Sequence, residues 1–244
     1  MALPSSLPTL VFPRHCPACG NAHGPDADLG SDTLCSDCAE RSRPITPPFC
    51  NCCGEPFNGE IATESFRCSH CASREFAFDF AIAGYKADGP AREIIHRFKY
   101  GKELHLARVA ANMLAEALED ERIASANLPW SLVPVPLHWI RRYRRGFNQA
   151  EELCRYLHKL SGYPVNKALR RIRNTPRQVS LNRKARLENL RDAFSLQKNH
   201  SPIHGSSILL VDDVFTTGST AHECARVLKE GGAERVVVVT MARG

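Results

Sequence analysis

Uninterrupted apolar runs in the second half of the chain predict buried strands. Residues 208–211 are four apolar positions in a row that lead into two carboxylates, and such a run is typical of a parallel strand covered on both faces. A helix is predicted over residues 219–230, followed by another apolar strand at residues 235–243. A shorter strand at residues 132–136 stops at its prolines. The pattern predicts an α/β fold with a mostly parallel sheet flanked by helices.

The middle of the chain changes from a strand pattern to a helical one. Residues 76–85 alternate loosely and predict a strand at a sheet edge. Apolar positions with helical spacing predict a helix over residues 89–100 that stops at Gly101. Two more helices are predicted, from about residue 104 to 122 and from the end of the 138–149 loop to about residue 160.

Residues 208–220 combine three features that suit one kind of ligand. They read Ile-Leu-Leu-Val-Asp-Asp-Val-Phe-Thr-Thr-Gly-Ser-Thr. The small residues from Thr216 onwards let backbone N–H groups and a helix N-terminus approach a phosphate. Asp212 and Asp213 repel phosphate but suit hydroxyl groups or Mg²⁺, so together the two features predict a ribose 5-phosphate site. The alternative is an ordinary strand-to-helix turn with a capping cluster, which leaves two adjacent carboxylates without a structural reason.

The cysteines are concentrated at the start of the chain in a duplicated pattern. Nine of the eleven lie before residue 72, and a C-x-x-C-G motif followed by a plain C-x-x-C occurs twice. Each half has the composition of a four-cysteine zinc site. Disulfides are the alternative, which a chain without a secretory signal disfavours. We therefore predict two structural Zn²⁺ ions and favour sequential over crossed pairing, although the spacing allows both. The predicted ligands are Cys16, Cys19, Cys35, Cys38, Cys50, Cys53, Cys68 and Cys71.

Composition and charge narrow the class of protein. The 244 residues are 43% hydrophobic and 24% charged, as in a water-soluble globular protein, and no apolar run approaches the roughly 20 residues of a membrane span. We expect a cytoplasmic protein without a membrane span. Residues 1–75 carry five Arg against nine acidic residues, a net −4, whereas residues 140–191 carry fifteen basic against three acidic residues, a net +12. The basic segment favours a polyanionic ligand or nucleic acid over a merely solvated surface.

Two arginine-rich stretches supply candidate anion ligands. Residues 138–149 are predicted to be a loop after a core strand, with Arg141, Arg142, Arg144 and Arg145 as forked donors for phosphate oxygens. Residues 169–183 are also basic and are interrupted by a proline, so part of them is predicted to be a mobile loop. Either stretch is equally suited to the phosphates of a nucleic acid. Lys99 is either a ligand for the anion or a cation that stabilises a helix C-terminus.

The 208–220 segment resembles the 5-phosphoribosyl-1-pyrophosphate (PRPP) motif of type I phosphoribosyltransferases. The resemblance implies that Asp212 and Asp213 hold the ribose hydroxyls, that residues 216–220 surround the 5-phosphate, and that Mg²⁺ accompanies PRPP. It also implies that the loop after the first core strand grips pyrophosphate, for which Arg142 and Arg145 are the candidates. The implied PRPP ligands are Val211, Asp212, Asp213, Thr216, Thr217, Gly218, Ser219 and Thr220. Further candidates are Lys99, Arg141, Gly146, Asn148, Gln149, Arg173, Gln178 and Arg183.

Across nearly its full length the chain resembles the ComF/GntX family of double-zinc-ribbon, phosphoribosyltransferase-like proteins. The motifs that carry the resemblance are the paired C-x-x-C repeats, Phe-Lys-Tyr-Gly at 98–101, Val-Pro-Val-Pro at 133–136, Arg-Gly-Phe-Asn-Gln at 145–149, Arg173 with Thr175 and Gln178, and residues 208–220. The resemblance implies a role in competence or in the use of external DNA. It also suggests single-stranded DNA and a DNA-uptake helicase as partners.

The predicted organisation has three parts. A double zinc ribbon occupies residues 1–75, a linking or hood segment occupies residues 76–129, and a phosphoribosyltransferase-like domain occupies residues 130–244. Only one strand follows the last predicted helix, so any hood that recognises a base lies before residue 130 or is missing. Three hypotheses follow, namely a phosphoribosyltransferase with an unidentified acceptor, a PRPP or nucleotide sensor without transfer activity, and a nucleic-acid-binding partner of a DNA-processing machine.

Overall fold

The computed structural model describes residues 15–23, 33–59, 66–175 and 190–244. The predicted site residues Gln178 and Arg183 lie outside these ranges. In chain order the elements are α1 (Ser36–Arg41), α2 (Ser69–Ala72), β1 (Phe80–Lys86), α3 (Gly89–Tyr100), α4 (Leu106–Ala115), a 3₁₀ turn (Glu116–Glu119), α5 (Glu121–Ala124), β2 (Trp130–Pro134), α6 (Trp139–Arg145), α7 (Gln149–Ser161), β3 (Leu169–Arg171), β4 (Phe194–Leu196), β5 (Ser207–Phe215), α8 (Ser219–Glu230) and β6 (Arg235–Arg243).

The main sheet has four parallel strands in the order β1-β6-β5-β2. The predicted mostly parallel α/β sheet is therefore confirmed, and β1 lies at the edge predicted for residues 76–85. Because β1 pairs with β6, the linking segment shares a sheet with the C-terminal half. The small antiparallel pair β3-β4 is separate.

Helices and ribbon segments cover both faces of this sheet. Alternate residues of a strand point to opposite faces, and in β5 Leu209 and Val211 pack on one side while Ile208 and Leu210 pack on the other. The first face lies against α3, α4 and α7, and the second against α8 and the β3-β4 pair. All four of these side chains are fully buried, which explains the continuous apolar run in the sequence.

The single helix predicted for residues 104–122 is divided into three pieces. It becomes α4, the 3₁₀ turn and α5, because Asp120 takes a non-helical backbone conformation with ψ of 129°. The Asp120 carboxylate accepts a hydrogen bond from the main-chain N–H of Arg122, and so caps a new helix. The helical spacing of Ala and Leu in residues 104–122 does not indicate this break, because the break depends on one capping residue.

The predicted loop of residues 138–149 contains a short helix, α6. The His138 imidazole accepts from the N–H of Ile140 at its start, and Gly146 ends it with φ of 92°. A left-handed residue after the last turn is a common helix stop, and glycine takes that conformation without strain. The arginines of this stretch are thus displayed on a helix and not on a loop.

Within the described ranges, no helix is long and apolar enough to cross a membrane.

Candidate functional site

Two four-cysteine clusters stand in the N-terminal part. Cys16, Cys19, Cys35 and Cys38 form the first cluster, and Cys50, Cys53, Cys68 and Cys71 form the second, with the sulfurs of each set within 4.8 Å of one another. The pairing is sequential, as favoured from the sequence. The closest sulfurs across the knuckles are 3.8 Å apart in the first cluster and 3.7 Å apart in the second. Tetrahedral Zn²⁺ with Zn–S bonds of about 2.3 Å needs sulfurs roughly 3.8 Å apart, so the geometry fits zinc.

Each cluster holds one thiol that ionises easily. Burial raises the pKa of Cys16, but main-chain N–H donors, led by that of Cys35, outweigh burial and lower it to about 6. A hydrogen bond with Cys53 lowers the pKa of Cys50 to about 4 against burial, with help from the main-chain N–H of Cys68. Zinc binds thiolates, so hydrogen bonds prepare a first ligand in each cluster. All four positions are filled by protein, as in structural sites.

The loop of residues 216–220 lies where β5 turns into α8. It lines a small cavity of about 50 Å³ together with Asp212 and Thr240. A single water needs roughly 10–15 Å³ on this scale, so the cavity has room for a small anion. The Thr217 hydroxyl lies 3.0 Å from that of Ser219, and α8 begins at Ser219. Free N–H groups of a helix start favour an anion.

Gly218 is required by the shape of this loop. Its φ is 73°, and an added Cβ would lie 2.8 Å from the Phe215 ring and 3.1 Å from the Phe76 ring. Gly218→Ala is therefore expected to displace the loop and to weaken phosphate-ligand binding at least tenfold. Gly205→Ala is the matched control, since Gly205 also has positive φ but nothing lies within 4 Å of an added Cβ. Calorimetric titration of both variants with the same phosphate ligand measures the difference in affinity. Equal losses of affinity in the two variants would refute a specific role of the loop.

The two adjacent carboxylates have different neighbours. Asp212 lines the cavity of the 216–220 loop, whereas Asp213 pairs with Lys99 of α3. The main-chain N–H of Asp213 donates to the Asp212 carboxylate at 2.9 Å. Only Asp212 lines the loop cavity, a division that the sequence pattern did not predict.

Asp212 is held in an environment that favours its neutral form. Burial first, and then the charge of Asp213, raise the pKa of Asp212 to about 7, against the opposing charge of Lys99. Such a carboxyl is poised between its two forms near neutral pH, as is common at functional sites. A cation or a hydroxyl-bearing ligand would favour the charged form.

Lys99 is paired with the other carboxylate. Its ammonium lies 2.9 Å from Asp213 Oδ1, with the two side chains 16% and 10% exposed. The prediction left open whether Lys99 acts as a ligand or as a helix-end cation, and the contact shows that it reaches the acidic pair. Since Lys99 belongs to α3, the linking segment contributes a side chain to this site.

Arg171 is a site residue that sequence reasoning missed. Burial, and then the charge of Arg141, lower its pKa to about 10, while the charge of Asp212 opposes that shift. Its guanidinium donates to the Thr175 hydroxyl and lies over the Phe194 ring. The signal was the period of two in β3, where Leu169 is buried, the next residue exposed, and Arg171 turned inward again. His138 lies close by, and its pKa is lowered by burial and then by the charges of Arg171 and Arg141.

The structure separates the arginines proposed for pyrophosphate. Arg141 donates to the main-chain oxygen of Thr175, next to Arg171. Arg142 instead forms an ion pair of 3.0 Å with Glu151. Arg145 lies over the ring of Tyr100 at 5.7 Å. The charge of Arg141 lowers the pKa of Arg171 and of His138, so Arg141 lies near both residues.

Several other candidates have structural partners. Asn148 caps α7 and also donates to the main-chain oxygen of Val135 at 3.1 Å. Val211 is fully buried, and Arg173 donates to the main-chain oxygen of Arg191. The Gln149 amide nitrogen is buried without a hydrogen-bond partner among the described residues.

A larger cavity of about 880 Å³ lies beside β1. Proline and phenylalanine side chains of residues 44–49 line it, together with Glu116 and Arg122. Among the described residues, its lining includes none of the acidic pair or the 216–220 loop. We therefore base the candidate site on the chemistry at the end of β5 and not on cavity size.

Comparison with known proteins finds two family matches in the chain. A double zinc ribbon domain matches residues 7–73, and a phosphoribosyl transferase domain matches residues 143–244. The chain is 33% identical to Competence protein F of Haemophilus influenzae, over 94% of this chain and 95% of that protein. It is 33% identical to DNA utilization protein YhgH of Escherichia coli K12, over 88% and 92% of the two chains. It is 26% identical to Competence protein ComFC of Bacillus subtilis, over 87% and 85%.

A parallel sheet with an acidic pair and a small-residue loop, joined to two four-cysteine clusters, defines a phosphoribosyltransferase-like protein with a double zinc ribbon. The relatives are similar over nearly their whole length. The chain belongs to the ComF family.

Proposed function

We propose that this protein binds PRPP at the carboxyl end of β5. The observation that carries the proposal is the placement of Asp212 and the 216–220 loop around one small cavity. The loop and the start of α8 supply N–H and hydroxyl donors for the 5-phosphate. Asp212 and Asp213 then accept hydrogen bonds from the ribose hydroxyls.

The pyrophosphate of PRPP would meet the positive groups of the site. Arg141 and Arg171 lie on the Asp212 side, and Lys99 lies at Asp213. Guanidinium groups bind phosphate oxygens in pairs, and they would stabilise the charge that develops on pyrophosphate if the C1–oxygen bond breaks. The carboxylates also fit the Mg²⁺ that accompanies PRPP, and Mg²⁺ when bound neutralises pyrophosphate charge.

Calorimetric titration of the zinc-loaded protein with PRPP and Mg²⁺ tests this proposal. One PRPP per chain is the expected result, with weaker binding of ribose 5-phosphate, which lacks the pyrophosphate. Absence of heat with PRPP would refute the proposal. Release of pyrophosphate in the presence of candidate bases then distinguishes a transferase from a PRPP sensor. Binding of PRPP without release of pyrophosphate in the presence of any candidate base would identify a sensor.

Single-stranded nucleic acid is a second candidate ligand, favoured by the surface of α6. Trp139 and Tyr143 are 70% and 87% exposed and stand one helical turn apart, beside Arg142, Arg144 and Arg145. Exposed aromatic rings stack on bases while arginines contact phosphates.

The names of the relatives refer to competence and DNA utilization, and we propose a role of the same kind here. A helicase of DNA uptake is the proposed protein partner. Four-cysteine clusters persist in a reducing compartment, which supports action in the cytoplasm.

Replacing Trp139 and Tyr143 together by alanine is expected to weaken binding of single-stranded oligothymidine at least tenfold. Base stacking contributes about 1–3 kcal/mol per ring, and 1.4 kcal/mol corresponds to a factor of ten. Fluorescence anisotropy of a labelled oligonucleotide measures the loss. Leu160→Ala removes another exposed apolar side chain, from α7, and is the control. Unchanged affinity in the double variant would exclude α6 as the nucleic-acid surface.

A further inference from the structure

Arg243 joins the second cysteine cluster to the 216–220 loop. This residue lies at the end of β6, directly opposite Phe215 in the parallel register with β5. Its side chain is buried, with 5% exposed. One guanidinium nitrogen, Nη2, forms an ion pair with Glu55 and lies 3.9 Å from the Cys53 sulfur. A single side chain therefore contacts a proposed zinc ligand on one side and the end of β5 on the other.

The other nitrogen, Nη1, holds the start of the loop. It donates to the main-chain oxygen of Thr216 at 3.0 Å, to that of Gly244, and at 3.4 Å to that of Phe215, which also accepts from the N–H of Gly244 at 2.9 Å. The guanidinium also lies over the Phe215 ring, 5.1 Å from its centroid. That ring in turn lies under Gly218, where an added Cβ would meet it at 2.8 Å. Arg243 thus contacts both the main chain at the start of the loop and the Phe215 ring that packs against Gly218.

The orientation of the peptide groups gives this contact a consequence for ligand binding. In a planar trans peptide the C=O and the following N–H point in opposite directions. Because Arg243 holds the oxygen of Thr216 and shares that of Phe215 with the N–H of Gly244, the N–H groups of Thr217 and Thr216 point away from the guanidinium. These are the first donors of the loop that lines the cavity. Donors fixed in advance bind an anion more tightly than donors that must be ordered on binding.

From these contacts we infer that Arg243 is a positioning residue that makes phosphate-ligand binding by the 216–220 loop depend on the intact second zinc cluster. The ligand side of this inference rests on the proposed PRPP function. Coupling between two sites is reciprocal, so a ligand in the loop must also strengthen zinc retention in the second cluster. The first cluster is joined instead to α3, where Arg97 donates to the main-chain oxygens of Pro17 and Ala18, and no described contact of Arg97 or Arg41 reaches the 216–220 loop. Its arginine, Arg41, donates to the Cys38 sulfur at 3.3 Å and otherwise to the main-chain oxygen of Asp37.

Hydrogen–deuterium exchange of the full zinc-loaded chain tests the positioning role without any ligand. Arg243→Lys keeps the charge but has one ammonium where Arg243 uses two nitrogens. Glu55→Gln removes the ion pair that holds Arg243, and Glu55 is a half-exposed residue outside the cluster. Both variants are expected to keep two zinc ions and to exchange the amides of residues 215–220 at least fivefold faster. Arg41→Lys is the matched control and is expected to leave this exchange unchanged. Unchanged exchange in Arg243→Lys and Glu55→Gln would overturn the inference.

Zinc release to a chelator, followed with and without PRPP, tests the coupling. In the wild type, PRPP is expected to slow one of two release phases at least fivefold. Arg243→Lys is expected to lose this protection and to bind PRPP at least fivefold more weakly, while Arg41→Lys keeps both properties. Equal protection of both ions, or protection that persists in Arg243→Lys, would overturn the coupling. If PRPP does not bind the wild type but loop exchange responds to Arg243→Lys, the positioning role stands and the proposed function fails.

Discussion

Replacing Asp212 and Asp213 together by asparagine is expected to reduce PRPP affinity at least a hundredfold. Asparagine keeps the size of each side chain but removes the charge that strengthens hydrogen bonds to ribose hydroxyls. Hydrogen bonds to charged groups contribute about 1.5–3 kcal/mol each and neutral ones about 0.5–1.5 kcal/mol, so weakening two of them costs about 2–3 kcal/mol, a factor of roughly one hundred. Calorimetric titration with PRPP and Mg²⁺ measures it.

The control for this change is Asp192→Asn. Asp192 is 71% exposed and has a φ of 55°, a conformation that asparagine also tolerates. Its replacement is expected to leave PRPP binding within twofold of the wild type. Full PRPP affinity in the Asp212→Asn/Asp213→Asn protein would remove the acidic pair from the site.

The Asp212 carboxyl gives a pH dependence of stability whose sign follows from its raised pKa. Asp212 has a pKa of about 7 in the folded protein and about 3.9 in an unfolded chain. Between these values the folded state binds more protons, so this group lowers stability progressively as pH rises from about 4 to 7. Asp212→Asn is expected to have a higher Tm than the wild type at pH 8, although it binds PRPP more weakly. Thermal denaturation at pH 5 and pH 8 measures this, and a lower Tm at pH 8 would contradict it.

Loss of zinc from the second cluster is expected to have the largest effect on stability. Structural zinc contributes apparent binding energies of about 10–16 kcal/mol in isolated zinc fingers, more than the total stability of most domains. Cys50→Ser is therefore expected to reduce zinc from two ions per chain to one and to unfold the second ribbon. The damage should reach the sheet, because the N–H of Ala81 in β1 donates to the oxygen of Cys52.

Cys52→Ser is the matched control for this variant. Cys52 stands between two ligands and is buried, but it is not part of the four-cysteine cluster. The Cys52→Ser variant is expected to retain both zinc ions and to melt within a few degrees of the wild type. Zinc content by mass spectrometry and thermal denaturation by circular dichroism give the comparison. Two ions retained in Cys50→Ser would show that the cluster is not the metal site.

Local patterns succeeded where a feature depends on neighbours in sequence. The helix predicted for residues 219–230 is α8 from Ser219 to Glu230, and the strand predicted for residues 235–243 is β6 over the same residues. Prediction was wrong where one capping residue decides the outcome, as at Asp120. It was also wrong for residues 139–145, where His138 and Gly146 start and stop a helix that has no buried side chain to give a periodic signal.

By itself the sequence determined the two cysteine clusters and the acidic pair with its loop, because each is set by spacing along a short stretch. The tertiary structure alone decided that Asp213 pairs with Lys99 while the buried Arg171 lies near Asp212. It also decided that Arg243 connects a cluster to the loop. These contacts join residues more than 25 positions apart, and only the packing of strands and ribbon brings such residues within hydrogen-bonding distance.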